Sequence, residues 1–201
     1  MFEIVCITNR KLCADTEQFL RRIAQIAANK PSCIILREKD LSPEDYFTLA
    51  GSVKEICAEY SVPLVLHSDP ETALRLGIRA LHMPLPALRS MPDDLKREFH
   101  SLGASCHSVE EAQEAVSLGA DRLIAGHIFA TDCKRGLPGR GTDFLRAVCG
   151  RVQVPVYAIG GIAPERVPEL RGTGAAGICV MSGLMKCEDP PAYFAALRKE
   201  C

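Results

Sequence analysis

The stretch from residue 121 to residue 161 reads DRLIAGHIFATDCKRGLPGRGTDFLRAVCGRVQVPVYAIGG. It holds two short apolar runs, Arg122–Gly126 and Pro155–Gly160, with a long loop and a helical pattern between them. Short, continuous runs rich in Ile, Val and Leu are typical of strands that are buried on both faces of a parallel sheet. We therefore predict a strand–helix–strand unit over this stretch, which is the building block of an α/β fold.

The same unit recurs along the chain. Six further apolar runs of strand length alternate with helical patterns, so that 201 residues hold eight predicted strands. Eight near-regular repeats favour a closed, single-domain (β/α)8 TIM barrel over residues 1–201, with a doubly wound open sheet as the alternative. The predicted strands are Glu3–Thr8, Cys33–Leu36, Pro63–His67, Ala80–His82, Gly103–His107, Arg122–Gly126, Pro155–Gly160 and Gly177–Met181.

Helix start signals precede most of the predicted helices. Asp15 with Gln18 three residues later, and Ser42 followed by a proline, are typical of helix N-caps. Ser108 and Glu111 have the spacing of a capping box. The weakest prediction is a fourth helix around Pro92–His100, and one final helix is expected after the last strand. Further helix starts are predicted at Asp69-Pro70, Ala163-Pro164 and Asp189-Pro190.

Composition excludes several classes of protein. Hydrophobic residues make up 47% of the chain and charged residues 24%, with a net charge of -1, so the chain is globular rather than disordered. The charge balance speaks against binding to nucleic acid or to an anionic membrane. No apolar run is long enough to cross a bilayer, and no secretory signal is visible at the N-terminus, so we expect a cytoplasmic protein. The ten cysteines include no C-x-x-C pair, so free thiols are expected rather than disulfides or structural zinc.

A barrel places its active site at the carboxyl ends of the strands, where this chain carries many polar residues. Four of its five histidines, His67, His82, His107 and His127, stand at predicted strand ends. An imidazole can take up and return a proton near neutral pH, which makes His127 the candidate acid/base. A structural role is the alternative for a single histidine, and the other three compete for the catalytic role. Since no carboxylate is arranged with these histidines, no metal site is predicted.

Two groups of residues are candidates for binding anions. Gly160 and Gly161 end the seventh strand, and Ser182 and Gly183 end the eighth, which is where this fold commonly binds phosphate on backbone N–H groups. The alternative is that these glycines only make tight turns. The second group comprises two cations after the second strand, Arg37 and Lys39, which suit a phosphate or a carboxylate. The alternative there is a solvated loop whose charge is neutralised by Glu38 and Asp40.

The loop from Thr131 to Gly141 is longer than a plain turn needs. Long loops in compact domains are commonly functional, and the three cations of this one are suited to covering an anionic ligand. Its alternative is a surface excursion without a role.

Taken together, these motifs resemble a known family. The runs Ser105-Cys106-His107-Ser108, Gly119-Ala120-Asp121 and Ala158-Ile159-Gly160-Gly161-Ile162 look like the thiamine phosphate synthase superfamily. The resemblance covers most of the chain, beginning at Leu36-Arg37-Glu38-Lys39. The run from Gly126 to Lys134 looks like the TenI-type thiazole tautomerases of that superfamily, because the synthases usually have a proline where His127 stands.

Two departures argue against a synthase. The synthases carry an Asn-Asp-Arg-like motif after the third strand, where this chain has His67-Ser68-Asp69. They also carry an acidic residue soon after the fourth strand, where this chain reads His82-Met83-Pro84-Leu85-Pro86. In the family these acids hold the Mg²⁺ that is bound to a pyrimidine diphosphate. The resemblance therefore implies a tautomerase, an isomerase of thiamine biosynthesis that moves a proton on a carboxythiazole phosphate to make the ring aromatic.

That resemblance also assigns roles. His127 matches the family's proposed base, and Lys39 is expected to hold the carboxylate or polarise the ring. Neither a cofactor nor a metal is required, the ligand is a small phosphorylated thiazole, and a homodimer is expected. Thiamine phosphate synthase and a non-catalytic binding regulator remain the alternatives. The predicted substrate-binding residues are Arg37, Lys39, Ser105, Thr131 and Lys134, and the predicted phosphate-binding residues are Gly160, Gly161, Ser182 and Gly183.

Overall fold

The computed structural model describes residues 2–131 and 136–201, which form a closed barrel of eight parallel strands. Each strand pairs with the next one in the sequence, and the eighth pairs with the first. The predicted (β/α)8 TIM barrel is therefore confirmed, and the open-sheet alternative is wrong. The strands are β1 Glu3–Ile7, β2 Cys33–Leu36, β3 Leu64–His67, β4 Ala80–Pro84, β5 Ser101–Cys106, β6 Arg122–Gly126, β7 Val156–Ile159 and β8 Gly177–Val180.

The helices surround this barrel, and most of them begin where their capping residues predict. Asp15 accepts a hydrogen bond from the Gln18 amide at 2.7 Å, and Ser42 accepts one from the Asp45 amide at 3.1 Å. These bonds satisfy amides that a helix leaves unpaired in its first turn. The helices are α1 Thr16–Ala28, α2 Pro43–Glu59, α3 Pro70–Arg75, α4 Leu85–Ser90, α5 Asp93–Lys96, α6 Val109–Ser117, α7 Gly141–Cys149, α8 Ser182–Lys186 and α9 Pro190–Glu200.

Three predicted helices differ from the structure. The segment between β4 and β5 holds two short helices, α4 and α5, rather than one helix around residues 92–100. A proline is tolerated in the first turn of a helix, so Pro86 fits near the start of α4. Residues Pro164–Leu170 form a 3-10 helix containing Pro168, which lacks the amide that an α-helix needs there. After β8 the chain forms two helices, α8 and α9, where one was expected.

The core has two layers. Side chains such as Phe19, Ile23 and Phe194 are fully buried between the barrel and its helices. A separate cluster fills the barrel interior, so the barrel is packed below its mouth rather than open as a pore. Among the described residues no helix combines the length and apolar character that a membrane span requires. The interior cluster comprises Val5, Ile7, Cys33, Ile35, Val65, Ile124, Tyr157 and Cys179.

Ring closure depends on a close approach at the foot of β8. Gly177 pairs with Glu3 of β1 on one side and with Tyr157 of β7 on the other. A Cβ atom at this position would lie 2.5 Å from the Glu3 carbonyl oxygen and 2.8 Å from Tyr157 Cδ1. Only glycine lets the three strands meet at their present separation.

Candidate active site

One cavity of about 530 Å³ opens at the carboxyl ends of the strands, which we call the barrel mouth. Its floor is formed by apolar side chains of the interior cluster, including Ile7, Ile35 and Ile124. A volume of this size accommodates small organic ligands. The polar residues that line it are Asn9, Arg37, Lys39, His67, His82, Ser105, His107, His127, Thr131 and Ser182.

The structure brings most of the predicted site residues together in this cavity. Arg37, Lys39, Ser105, Thr131, His127, Gly160, Gly161 and Ser182 all line it. Gly183 does not line the cavity. A Cβ atom added at Gly183 would collide with the Tyr193 hydroxyl. Lys134 lies outside the described residues, as does most of the cationic part of its loop. Their roles in binding or catalysis stay predictions.

The paired glycines after β7 adopt backbone conformations that only glycine takes readily. Gly160 has φ of 100° and Gly161 has φ of 65°. A Cβ atom on Gly161 would lie 2.5 Å from the Ala130 carbonyl oxygen, so the segment after β7 packs directly on the segment after β6. The Gly160 carbonyl accepts a hydrogen bond from the Phe129 amide at 3.0 Å. These glycines therefore allow the segments after β6 and β7 to pack closely at the barrel mouth.

The two carboxylates beside Arg37 and Lys39 are bonded elsewhere. Glu38 is buried and accepts hydrogen bonds from the Thr8 hydroxyl at 2.6 Å and from the Arg10 amide at 3.0 Å. Asp40 pairs with the Arg10 guanidinium at 2.6 Å and with Lys11 at 3.2 Å. Burial raises the pKa of Glu38, and the bonds from Thr8 and Arg10 oppose that rise. Glu38 and Asp40 are thus bonded to β1 and the residues after it, while Arg37 and Lys39 line the cavity.

His67 and His82 are buried side by side in the wall of the cavity, with ring centroids 5.8 Å apart. Burial, together with the nearby charges of Arg37 and Lys39, lowers the pKa of His67 to about 4. Burial and the neighbouring His67 hold the pKa of His82 well below its ordinary value. Both imidazoles are therefore neutral at neutral pH, and the His82 ring lies 2.8 Å from the Ser105 hydroxyl.

The other two histidines of the cavity lie closer to solvent. His127 is half-buried, and its Nε2 lies 3.4 Å from the carbonyl oxygen of Leu137 in the loop after β6. His107 is exposed, and its Nδ1 lies 3.2 Å from the Glu111 carboxylate. Of the two, His127 is the one for which the described residues provide no carboxylate contact, which leaves its ring suited to an anionic or polar ligand.

Two residues of this region were missed by the sequence analysis. Asn9 lines the cavity two residues after the end of β1. The rule that strand ends form the site also applied to β1, but this strand end was not considered. Arg122 was also missed and lies at the start of β6. Its side-chain nitrogens Nε and Nη2 are buried and have no hydrogen-bond partner among the described residues. The same is true of His82 Nδ1. Nothing in the sequence signalled that β6 would turn a guanidinium into the barrel interior.

The described lining of the main cavity does not fit a magnesium ion. Within the described ranges, the lining of the main cavity contains no aspartate or glutamate. Nor do those ranges hold a cluster of three or more potential metal ligands. Asp69 lies in a neighbouring depression of about 390 Å³, where it caps α3 by accepting a hydrogen bond from the Thr72 amide at 2.9 Å. Magnesium needs carboxylates besides substrate phosphates, and the cavity supplies none from its described residues.

The sequence and the fold match known proteins over almost their full length. Residues 4–184 match the family model described as thiamine monophosphate synthase. The chain belongs to the thiamine monophosphate synthase family. It is 34% identical to thiamine-phosphate synthase 2 of Streptococcus pneumoniae over 201 residues, covering 96% of this chain and 92% of that one. It is also 34% identical to the thiamine-phosphate synthase of Lacticaseibacillus paracasei, covering 90% of this chain and 85% of that one.

Solved structures agree with this membership. A thiamine phosphate pyrophosphorylase from Pyrococcus furiosus superimposes with a TM-score of 0.84 at 28% identity, covering 99% of this chain and 95% of that one. A 3-hexulose-6-phosphate synthase superimposes with a TM-score of 0.76 at 17% identity, which shows a shared fold only.

The predicted function needs correction. The prediction of a thiazole tautomerase, and with it the class of isomerase, is wrong, because relatives at 34% identity over most of the chain are named as synthases, which are transferases. The prediction gave most weight to His127 and to the missing acid after β4. The family resemblance itself is confirmed, and the alternative of a synthase is the one that the relatives favour.

Proposed function

We propose that this chain is a thiamine phosphate synthase, which joins a thiazole phosphate to a pyrimidine diphosphate and releases pyrophosphate. The similarity to thiamine-phosphate synthase 2, at 34% identity over 96% of the chain, carries this proposal. A main cavity of about 530 Å³ with cations on its wall supports it, because both substrates are small anions.

The reaction forms one bond and breaks one. The thiazole ring nitrogen uses its lone pair to form a bond to the methylene carbon of the pyrimidine. The bond from that carbon to the diphosphate oxygen breaks, and the pyrophosphate leaves with the electron pair. Since the nitrogen attacks without losing a proton, the step needs no general base. What it needs is a site that holds both partners in line and stabilises the charge on the leaving group.

The residues of the cavity divide between these two tasks. Arg37 and Lys39 bind the diphosphate and stabilise the pyrophosphate as it leaves. Gly160, Gly161 and Ser182 bind the phosphate of the thiazole through backbone N–H groups and the serine hydroxyl. Neutral His67 and His82 add no positive charge beside the ring nitrogen, which becomes positive as the bond forms.

Thr131, Lys134 and His127 come from the loop after β6 and are proposed to contact the same substrates. Ser105, oriented by His82, is proposed to contact them from β5. A homodimer remains part of the proposal on the strength of the family alone.

The test is direct synthesis. The protein is mixed with thiazole phosphate and pyrimidine diphosphate, with Mg²⁺ or with EDTA, and thiamine phosphate and pyrophosphate are quantified. We expect equal amounts of both products and turnover in the range of ordinary enzymes, about 1 per second or faster. Arg37→Gln should lower kcat/KM by about 100-fold. Arg21→Gln is the matched control, because Arg21 lies on α1 in an exposed pair with Glu17.

Absence of thiamine phosphate under both conditions, from a folded protein that still binds the two substrates, would contradict the proposal. The chain would then be the non-catalytic binding protein that the sequence left as an alternative.

A further inference from the structure

A row of three residues crosses strands β4, β5 and β6. His82 of β4 pairs in register with Gly103 of β5, and Gly103 pairs with Arg122 of β6. A Cβ atom added to Gly103 would lie 2.7 Å from His82 Nδ1 and 3.1 Å from Arg122 Nε, and both of these nitrogens are buried. The imidazole and the guanidinium therefore flank the position that a side chain of residue 103 would take, and glycine is what allows them to lie this close.

The same imidazole reaches the main cavity with its other nitrogen. His82 Nε2 lies 2.8 Å from the Ser105 hydroxyl, and Ser105 lines the cavity. The His82 side chain is only 2% exposed, and its ring lies along β5 from Gly103 to Ser105. It thus connects a guanidinium in the barrel interior with a hydroxyl at the barrel mouth.

Arg122 decides which nitrogen of His82 carries the proton. Burial, followed by the charges of His67 and Arg122, keeps the pKa of His82 well below its ordinary value, so the ring is neutral and has one proton. A guanidinium is always charged and can only donate hydrogen bonds. In a buried setting it attracts the lone pair of Nδ1 and repels an N–H group at that position. The proton is therefore on Nε2, which donates to Ser105 Oγ.

The direction of this hydrogen bond determines what Ser105 offers to a ligand. A hydroxyl has one proton to donate and two lone pairs that accept. Because one lone pair of Ser105 Oγ accepts from His82 Nε2, the hydroxyl keeps its own proton for a different partner. Ser105 lines the cavity, so a ligand bound there can accept that proton.

We propose that Arg122 and His82 are positioning residues that make Ser105 a hydrogen-bond donor to an acceptor atom on the pyrimidine substrate. This inference rests on the proposed function for its ligand. It also gives the cavity a basis for selecting that ligand. A ring that presents an acceptor nitrogen to Ser105 can bond to it, whereas a ring that presents an N–H group at the same point meets a second donor.

The first test locates the proton on His82 by ¹⁵N–¹H NMR of histidine-labelled protein, with His82→Gln identifying the signals. We expect the parent to carry the proton on Nε2. Arg122→Met removes the cation but keeps an unbranched side chain, so it should raise the fraction of rings with the proton on Nδ1. Arg122→Lys keeps the charge and should keep the parent tautomer. Arg151→Met, at an exposed arginine, is the matched control and should change nothing.

The second test measures binding of the pyrimidine diphosphate by calorimetry in the presence of Mg²⁺. Ser105→Ala should weaken binding by about 3-fold to 10-fold, the usual effect of losing one hydrogen bond. Arg122→Met should weaken it in the parent and cause no further loss in the Ser105→Ala variant, because it acts through that hydroxyl. Two independent effects would instead multiply. Arg122→Lys should restore most of the affinity.

Four results would overturn the inference. These are a proton on His82 Nδ1 in the parent, an unchanged tautomer in Arg122→Met, losses that multiply in the double variant, and no binding of pyrimidine diphosphate by the parent. Failure of the proposed function alone appears differently, because pyrimidine diphosphate would bind and the tautomer would be as expected while no thiamine phosphate is made.

Discussion

His67 is buried at the end of β3, where its Nδ1 lies 2.7 Å from the Ser68 hydroxyl. In the unfolded chain a histidine has a pKa of about 6.5, whereas in the fold burial lowers the pKa of His67 to about 4. The folded state therefore prefers the neutral ring, and a falling pH protonates the unfolded chain first. The stability that this preference contributes is complete above pH 6.5 and is lost as the pH falls toward 4.

The corresponding prediction concerns the free energy of unfolding. Between neutral pH and the pKa of folded His67 it should fall by roughly 3 kcal/mol on account of this residue, at 1.36 kcal/mol per unit of pKa. His67→Gln removes the titrating group, so the urea unfolding free energy of the variant should depend less steeply on pH over this interval. Carboxylates titrate in both proteins, and the difference between the two curves isolates His67. Parallel curves would contradict the shift.

Glu38 illustrates what sequence reasoning lacks at this scale. Neutralisation of Arg37 and Lys39 by Glu38 was the alternative to their predicted role in binding an anion. In the fold its partners are Thr8 and Arg10, about thirty residues away, and it is buried. Which of several nearby groups a carboxylate bonds to depends on how β1 and β2 align, and local spacing does not contain that information.

At the scale of single elements, α2 ends at a serine whose backbone conformation is unfavourable for residues with a side chain. Ser61 has φ of 54°, in the left-handed region. Its amide donates to the Ala58 carbonyl at 3.1 Å, and the Val62 amide donates to the Cys57 carbonyl at 2.9 Å. This pair of bonds is the Schellman motif that ends many helices, usually with glycine in the left-handed position. α3 ends in the same way with Gly77, whose φ is 69°.

Ser61→Gly should therefore stabilise the protein by roughly 0.5–1 kcal/mol, because relief of the left-handed strain exceeds the entropy that glycine adds to the unfolded chain. The midpoint of urea unfolding should rise. Gly77→Ala is the reciprocal variant, since it has open space around it and differs only in strain. It should lower stability by about 1 kcal/mol. If the urea midpoints of the two variants shift in the same direction, backbone strain at these positions does not determine their stability.

Elements differ in how far the sequence predicts them. β2 and β6 have the predicted bounds, because each is a continuous apolar run that is buried in a parallel sheet. The segment after β4 was predicted poorly, because Pro84 and Pro86 resemble loop residues while the fold uses them at the start of α4. Most residues that line the cavity were predicted correctly because strand ends converge in a barrel. The burial of the Arg122 side chain could not be predicted, because it depends on the register of β6 in the barrel.

At the scale of the whole molecule, ring closure is concentrated at Gly177. Gly177→Ala should destabilise the entire barrel by several kcal/mol, roughly 3 or more, since the added methyl group meets backbone of β1 and the ring of Tyr157 at once. Thermal unfolding followed by circular dichroism should show a single transition at lower temperature.

Gly51→Ala is the control for this prediction. Gly51 lies inside α2, and a methyl group added there would meet no described atom within 4 Å outside its own stretch of helix. Alanine at this position should therefore raise stability by roughly 0.5–1 kcal/mol. A Gly177→Ala protein as stable as the parent would mean that β8 shifts without loss and that closure does not depend on this contact.

Function is also a property of the whole chain, and here the sequence analysis was least accurate. It chose the chemistry from His127 and from the residues after β3 and β4, which are a few positions at the barrel mouth. Similarity to thiamine-phosphate synthases extends over 96% of the chain and outweighs them.

The pairing of β8 with β1 has a further consequence during synthesis on the ribosome. A complete ring presents no edge strand to another molecule, and unpaired strand edges are common starting points for aggregation. Until residues 177–180 have been translated and have left the exit tunnel, however, the backbone groups of β1 and β7 that β8 will cover remain unpaired. β1 therefore keeps an unpaired edge for most of the synthesis of the chain, and β7 has one from its own translation until β8 pairs with both strands.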